Sequence, residues 1–307
     1  FRKGLQLLFE ILTRDILPVF SVLVLGFILG RMSIVSLVEA KTLNRIAFLI
    51  LQPALIFPLV NGVELNEFYF DSIGLYGLAQ MVIFSFVLII SLLLFKCALI
   101  EAWLLAMTTI FVNSLLYIWP ISSLIYGIHG NTPIKAVVVW DATFTFAFFI
   151  ITTELLANRK ASFLNAFYRL LKNPVLLSIL IGLSTNILGL LAPQPLLVAC
   201  SFAGAGAAPL TLFALGVILS SHKIWPTSKI IILSATKLFA LPTLVVIFLN
   251  FRETPVIWND LLVLNAAGPS GAMAFALAML YNVKTDTIAP VIIWTSILSL
   301  VTLAWLA

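Results

Sequence analysis

Long apolar stretches separated by short polar connections run through the whole 307-residue chain. A helix that crosses a membrane needs about 20 mainly apolar residues. A membrane β-barrel would instead need segments of about ten residues that alternate at period two, and no stretch does so. The pattern therefore predicts an all-α integral membrane protein. We place ten transmembrane spans at 16–30, 43–60, 70–95, 102–128, 136–156, 174–191, 197–219, 230–249, 256–280 and 288–306.

The fourth and ninth spans carry residues that are costly in lipid. Span four contains Asn113 and Pro120, and span nine contains Asn265 shortly before Gly268 and Pro269. A buried asparagine needs a hydrogen-bond partner, and a proline removes a backbone donor. Irregular backbone at membrane depth is tolerated only inside protein or beside a wet cavity. Paired interruptions in the two halves of a chain are the best sequence pointer to a transporter binding site.

The two interruptions predict a crossover of broken helices. If both spans unwind near their prolines and cross, four half-helix ends meet inside the membrane. The N-terminal ends carry partial positive charge and unpaired N–H groups, which suits an anion. The expected donors are the residues just after the breaks, Ile121, Ser122, Ser270 and Gly271. The alternative is a pair of proline kinks that only improve packing.

Landmark residues recur at one fixed offset. Pro18, Gly26, Pro53 and Phe57 are followed 156 positions later by Pro174, Gly182, Pro209 and Phe213. This recurrence predicts two five-span repeats, residues 1–156 and 173–307, joined by a basic linker at 157–172. An odd number of spans per repeat places the copies in opposite orientations, which gives an inverted 5+5 repeat of the kind that many secondary transporters use.

Composition and charge agree with a membrane protein. Apolar residues make up 62% of the chain and charged residues 9%, against about 45–50% and about 25% in soluble domains. The net charge of +5 comes from basic residues that lie mostly in the connections between spans. Such residues record orientation, so no nucleic-acid partner is expected. The side that holds fewer of them is predicted to be extracytoplasmic, and both termini lie on it.

Two of the charged residues inside predicted spans are candidates for function. Asp141 is in span five and Lys237 is in span eight. An ionisable residue within a membrane is by default a functional hypothesis. The two side chains could pair, or either could change protonation during a cycle. Alternatively, Asp141 is hydrated near the outer interface and Lys237 fixes the fold. Thr145 adds a hydroxyl near Asp141.

Other chemistry finds no support in the sequence. There is no glycine-rich phosphate loop, HExxH, CxxC or nucleophile elbow, which are the usual signatures of nucleotide, metal and acyl-transfer sites. The two cysteines, Cys97 and Cys200, lie in apolar surroundings. We therefore expect no catalytic residue, no metal and no cofactor.

Six motifs carry a family resemblance. They are PALIF at 53–57, FVNSLLYIWP at 111–120, KNPVLLSILIGL at 172–183, APLTLFALGVIL at 208–219, TKLFALP at 236–242 and AAGPSGAMAFALA at 266–278. With these motifs the sequence resembles the auxin efflux carrier family, which includes the plant PIN-FORMED carriers and bacterial permeases often labelled malate or malonate transporters. The most specific motif is the spacing of Phe111, Asn113 and Pro120.

The resemblance implies an architecture and a substrate class. Helices four and nine would cross in a transport domain of helices three to five and eight to ten. Helices one, two, six and seven would form a scaffold and a homodimer interface. A small organic anion would lie near the crossover, held by Asn113 and a polar side chain at Asp141.

Two positions depart from the family pattern. Leu115 and Ile118 stand where the family usually has glycines, which implies a tighter crossover or a smaller pocket. Asp141 stands where the plant carriers have a neutral amide. A carboxylate repels an anion unless it is protonated or paired, so Asp141 could signal proton coupling, or a neutral or cationic substrate.

The predicted function is secondary transport of small organic acids by elevator-like alternating access, with H⁺ or Na⁺ as a candidate coupling ion. One alternative is a cation/proton antiporter, which would want two acidic residues near the crossing. Only Asp141 lies in mid-span. The other alternative is a ligand sensor that keeps the fold but does not transport.

Overall fold

The computed structural model describes residues 6, 9–127, 129–157, 171–190 and 192–306, and these residues form helices joined by short connections. No β-strand occurs among them. The helices are α1 (Phe9–Arg31), α2 (Leu37–Asn61), α3 (Phe70–Leu93), α4a (Leu99–Ile110), α4b (Ser114–Tyr126), α5 (Thr132–Ala157), α6 (Pro174–Ile187), α7 (Gln194–Ser220), α8 (Ser228–Leu249), α9a (Val256–Ala266), α9b (Met273–Leu280) and α10 (Ile288–Leu306).

Seven of the helices in the described part of the chain are long and apolar enough to cross a membrane: α1, α2, α3, α5, α7, α8 and α10. This confirms the prediction of a multi-pass, all-α integral membrane protein. The other predicted spans contain the shorter apolar helices α4a, α4b, α6 and α9a, and α9b has eight residues. The predicted linker at 157–172 lies mostly outside the described residues.

Local sequence signals explain where several helices begin. The Ser36 hydroxyl accepts a hydrogen bond from the Glu39 N–H at 3.2 Å, and the Glu39 carboxylate accepts one from the Ser36 N–H at 2.8 Å. This capping box starts α2. The Asn173 side chain accepts hydrogen bonds from the first turn of α6, where Pro174 occupies the first position. Proline is favoured there because that N–H has no helical partner.

Proline widens four helices without breaking them. Four π-helical turns each end two residues before a proline: Leu12–Ile16 before Pro18, Ala47–Leu51 before Pro53, Ser114–Ile118 before Pro120, and Thr236–Ala240 before Pro242. A proline ring in a regular α-helix clashes with the carbonyl four residues earlier. The wider π turn contains that carbonyl and makes room for the ring.

Two compact units divide the chain. The first consists of Phe1–Ser21, Tyr69–Val137 and His222–Ala307, and the second of Val22–Phe68 and Val138–Ser221. The first unit therefore holds α3, α4a, α4b, α8, α9a, α9b and α10, whereas the second holds α2, α6 and α7. The boundaries between the units fall inside α1 and α5.

Glycines allow close helix packing in the second unit. A Cβ atom on Gly26 of α1 would lie 2.1 Å from the carbonyl oxygen of Phe213 in α7. A Cβ atom on Gly182 of α6 would lie 3.1 Å from the carbonyl oxygen of Phe57 in α2. At these positions the backbones approach so closely that only glycine fits without a shift of the neighbour.

Side chains also fix the helix ends of this unit. Asn186 in α6 donates from Nδ2 to the carbonyls of Asn61 and Val63, both at 2.7 Å. Arg31 at the end of α1 donates to the carbonyl of Ser220, the last residue of α7, at 2.8 Å. The bonds to Asn61 and Ser220 satisfy carbonyls at helix ends, which have no partner within their own helix.

Candidate functional site

The broken fourth and ninth helices cross within the first unit. The break in helix four lies at 111–113, between α4a and α4b, and that in helix nine lies at 267–272, between α9a and α9b. The Asn113 N–H donates to the Pro269 carbonyl at 3.1 Å, and the Gly271 N–H donates to the Phe111 carbonyl at 2.8 Å. Each break thus supplies the hydrogen-bond partners that the other lacks.

The break in helix four lies at 111–113 and not at Pro120, so its predicted position was wrong. The π turn accommodates Pro120, while the pairing with helix nine uses the three residues before α4b. Ile121 and Ser122 therefore lie inside α4b and not at its N-terminal end. The Ser122 hydroxyl donates to the Ile118 carbonyl at 2.8 Å and accepts a bond from Asn131 at 2.8 Å.

Asn113 occupies the junction between the break and the second half-helix. The first bonds of the π turn run from Tyr117 and Ile118 to the Asn113 carbonyl, at 3.1 and 3.2 Å. The N–H groups of residues 114–116 consequently lie at the positive end of the half-helix. The Asn113 side chain does not cap this end and is partly exposed. Its amide is therefore in a position to contact a ligand.

Ser270 and Gly271 lie in the break of helix nine. Both of their N–H groups are already used within the first unit, since Ser270 donates to the Thr295 hydroxyl at 3.2 Å and Gly271 donates to Phe111. The Ser270 hydroxyl is buried and has no hydrogen-bond partner among the described residues. The polar group that Ser270 can offer a ligand is therefore its hydroxyl.

The carbonyl ends of the first half-helices are capped by side chains. Gln80 of α3 donates from Nε2 to the Ile110 carbonyl, the last of α4a, at 3.2 Å. Lys237 of α8 donates from Nζ to the Ala266 carbonyl, the last of α9a, at 2.6 Å. Lys237 is fully buried. These contacts place an amide and an ammonium where the helix dipoles are negative.

Asn265, one residue before the end of α9a, is fully buried. Its Nδ2 donates to the Tyr76 hydroxyl at 2.8 Å. Its Oδ1 has no hydrogen-bond partner among the described residues. Because a buried unpaired acceptor is costly, this oxygen is a candidate for contact with a ligand or an ion.

Asp141 belongs to the second unit and opens the π turn Asp141–Thr145 of α5. The side chain is 3% exposed, and its Oδ1 accepts a bond from the Thr145 hydroxyl at 3.2 Å. No proline lies two residues after this turn, unlike the four proline-linked turns described above. Such turns often mark functional sites. Since Lys237 belongs to the first unit, the pairing of Asp141 with Lys237 stays a prediction.

Two comparisons identify the kind of protein. A family model described as "Membrane transport protein" matches residues 159–306. The chain is also 25% identical over 307 aligned residues to a protein of Rhizobium meliloti (strain 1021) named "Putative malonate transporter", with 96% of this chain and 94% of the relative covered. The second half of the chain is thus similar to membrane transport proteins, and nearly the whole chain is similar to a protein named as a transporter. Both similarities agree with the family resemblance that the motifs carry, and they indicate a transport protein and not an enzyme.

The family departure at Ile118 has a structural counterpart in this carrier. A Cβ atom on Gly268 would lie 2.5 Å from Cδ1 of Ile118. A Cβ atom on Gly271 would lie 2.8 Å from Cδ1 of Phe111. The large side chains of Ile118 and Phe111 on helix four thus pack against glycines in the break of helix nine.

Sequence reasoning missed the side chains of this carrier that support the crossover from α3 and α10. Gln80 and Tyr76 are on α3, while Thr295 and Thr302 are on α10, where Thr302 donates to the Ala267 carbonyl at 3.2 Å. The signal was present in the sequence. Gln80 is the one amide in α3, and Thr295, Ser299 and Thr302 have the spacing that places residues on one helix face.

A groove of about 720 Å³ lies between α3 and α8 in the first unit. Its lining is almost wholly apolar and includes Phe86 and Phe239. An anion needs hydrogen-bond donors or positive charge, so this groove does not suit the transported solute.

Proposed function

We propose that this carrier is a secondary transporter of small organic anions that works by elevator-like alternating access. The crossing of the broken helices supports this most strongly. It brings the N-terminal ends of α4b and α9b, which carry partial positive charge, into one unit with paired backbone between them. Half-helix N-termini of this kind hold anionic groups in transporters.

The substrate would contact a small set of groups around the crossing. Asn113 would orient a carboxylate against the first turn of α4b, because its amide is partly exposed there. The Ser270 hydroxyl and the Asn265 side-chain Oδ1 are buried polar atoms without partners in the described residues, and they would complete the site. Asp141 and Thr145 belong to the second unit, and their part in substrate binding stays a prediction.

Reciprocal contacts in the second unit support an inverted repeat. Gly26 meets Phe213, and Gly182 meets Phe57. Residue 182 follows residue 26 by 156 positions, and residue 57 precedes residue 213 by 156 positions, so the two contacts exchange under the repeat offset. A two-fold relation between the repeats produces such an exchange. The second unit would then serve as the scaffold and homodimer interface, and the first as most of the transport domain.

The substrate class follows from the site and from the relative. A relative named for malonate transport directs attention to short dicarboxylates, and positive half-helix ends suit carboxylates in general. Uptake of malonate, malate and indole-3-acetate into proteoliposomes would define the class. Asn113→Ala is expected to lower uptake of the accepted anion by on the order of tenfold, the loss of one charge-assisted hydrogen bond.

Asn250→Ala is the matched control, since Asn250 is an exposed residue at the end of α8. Its uptake should equal that of the parent protein. Unchanged uptake by Asn113→Ala would contradict the proposed site. Acidification that depends on added sodium would instead indicate an antiporter, and thermal stabilisation by an anion without flux would indicate a sensor.

A further inference from the structure

The two half-helix caps occupy equivalent places in the two proposed repeats. Ile110 and Ala266, whose carbonyls are capped, lie 156 positions apart, which is the offset of the other landmarks. The capping residues, Gln80 and Lys237, lie 157 positions apart. One position is therefore filled by a neutral amide in the first repeat and by an ammonium in the second.

Capping alone does not require the positive charge. The neutral Gln80 amide caps the Ile110 carbonyl at 3.2 Å and is itself buried. Lys237 is 0% exposed, and burying an ammonium within a membrane carries a large desolvation cost. An amide at position 237 would satisfy the Ala266 carbonyl without that cost. The charge of Lys237 thus has a consequence beyond capping.

The place that the ammonium occupies is suited to a cation. The C-terminal end of α9a carries the negative end of the helix dipole. The Ala266 carbonyl lies 2.6 Å from Nζ, and the neighbouring Asn265 has a buried Oδ1 without a partner in the described residues. In transporters with discontinuous helices, unwound carbonyls and half-helix C-termini are the groups that coordinate coupling cations.

We propose that Lys237 is the resident cation of this carrier. Its ammonium takes the position at the carbonyl end of α9a that a coupling Na⁺ would otherwise take. The carrier then keeps a fixed positive charge beside the crossover and handles its anion without Na⁺. The physiological meaning rests on the proposed function, but the occupancy of the cation position can be measured without any transport.

Chemical rescue tests this directly. Thermal unfolding of the purified parent protein in detergent should be the same in NaCl, KCl and N-methyl-D-glucamine chloride at equal ionic strength. Lys237→Ala should lower the unfolding temperature by about 5 °C, because the Ala266 carbonyl loses its partner. Millimolar n-butylammonium, which resembles the deleted side chain, should restore most of the loss, whereas 1-butanol and tetramethylammonium should not.

Two variants separate the charge from the cap. Lys237→Gln copies Gln80, so it should unfold close to the parent temperature but bind the anion more weakly, by on the order of tenfold. Lys229→Ala is the matched control on the same helix, because Lys229 pairs with Glu101 at 2.8 Å, away from the carbonyl end of α9a. Its stability should not respond specifically to n-butylammonium.

The proposal is overturned if Na⁺ stabilises the parent protein, or if Lys237→Ala is restored equally by 1-butanol. It is also overturned if folded Lys237→Gln binds the anion as tightly as the parent, and this comparison decides the matter should Lys237→Ala yield no folded protein. A failure of anion uptake by the parent would contradict the proposed function while leaving the rescue result intact.

Discussion

The backbone N–H of Asn113 donates to the carbonyl of Pro269 at 3.1 Å, so two breaks 156 residues apart in the chain complete each other. Unpaired backbone groups are costly away from water. Neither break would be stable without the other. The crossing therefore explains why residues that disfavour a regular helix occur in both spans, and it fixes the half-helix ends on which the proposed anion site depends.

The contact of Gly268 with Ile118 predicts a compensating pair of substitutions. Gly268→Ala places a Cβ atom 2.5 Å from the end of the Ile118 side chain, so it should destabilise the carrier by about 1–3 kcal/mol. Ile118→Ala removes the clashing atoms. A double-mutant cycle of thermal unfolding should give a favourable coupling of about 1 kcal/mol. Additive effects would show that the two residues do not meet.

The glycine contacts of the second unit predict a graded series. Gly26→Ala meets the Phe213 carbonyl at 2.1 Å, a rigid backbone atom, and should lower stability by about 2–3 kcal/mol. Gly182→Ala meets Phe57 at 3.1 Å and should cost less, because the gain in helix propensity of about 1 kcal/mol partly offsets the crowding. Unfolding midpoints in detergent measure both effects.

Gly74→Ala provides the reference for this series. Gly74 lies in α3, where a Cβ atom would meet nothing within 4 Å. The substitution should leave stability unchanged or raise it by up to about 1 kcal/mol. Equal losses at all three glycines would refute the close approach.

We expect a negative charge at position 186 to lower the stability of the protein strongly. Asn186→Asp replaces the donor to the Asn61 and Val63 carbonyls with an acceptor, so oxygen faces oxygen. It should destabilise more than Asn186→Ala, which is expected to cost about 1–3 kcal/mol. Asn250→Asp, at an exposed position, should be nearly neutral. The prediction fails if Asn186→Asp is as stable as the parent protein.

Because Asp141 is a proposed substrate contact, we expect the transport rate to depend on pH. A deprotonated carboxylate repels an anion, so uptake should rise as pH falls and the side chain gains a proton. Asp141→Asn resembles the protonated form and keeps an oxygen that can accept from Thr145. Its uptake should lose this pH dependence. If uptake by Asp141→Asn kept the pH dependence of the parent protein, protonation of Asp141 would not be the cause of that dependence.

The sequence predicted the membrane class and the two interrupted spans, because apolar length, proline and asparagine are local signals. It placed the fourth break at Pro120 because a proline is the usual reason for a helix to bend. In the folded protein a π turn accommodates the proline ring, and the break forms where helix four pairs with helix nine. Both depend on contacts between distant parts of the chain, so local helix propensity does not predict them. The support from Gln80, Thr295 and Thr302 was missed for the same reason, since their partners are backbone groups of distant helices.

The most direct test of the crossing is a disulfide between the two breaks. Val112 and Ser270 form an antiparallel bridge, flanked by the hydrogen bonds of their neighbours, and such a pair has Cα atoms about 4.5 Å apart, within reach of a disulfide. Val112→Cys with Ser270→Cys, in a background where Cys97 and Cys200 are serine, should oxidise readily and resist alkylation after denaturation.

Val112→Cys with Met279→Cys, which moves the second thiol to the far part of α9b, should stay reduced under the same conditions. Mass spectrometry of the alkylated proteins gives the result. The account predicts a cross-link in the first pair and two alkylated thiols in the second. Two alkylated thiols in the first pair would show that the broken helices do not cross, and the proposed anion site would be lost with the crossing.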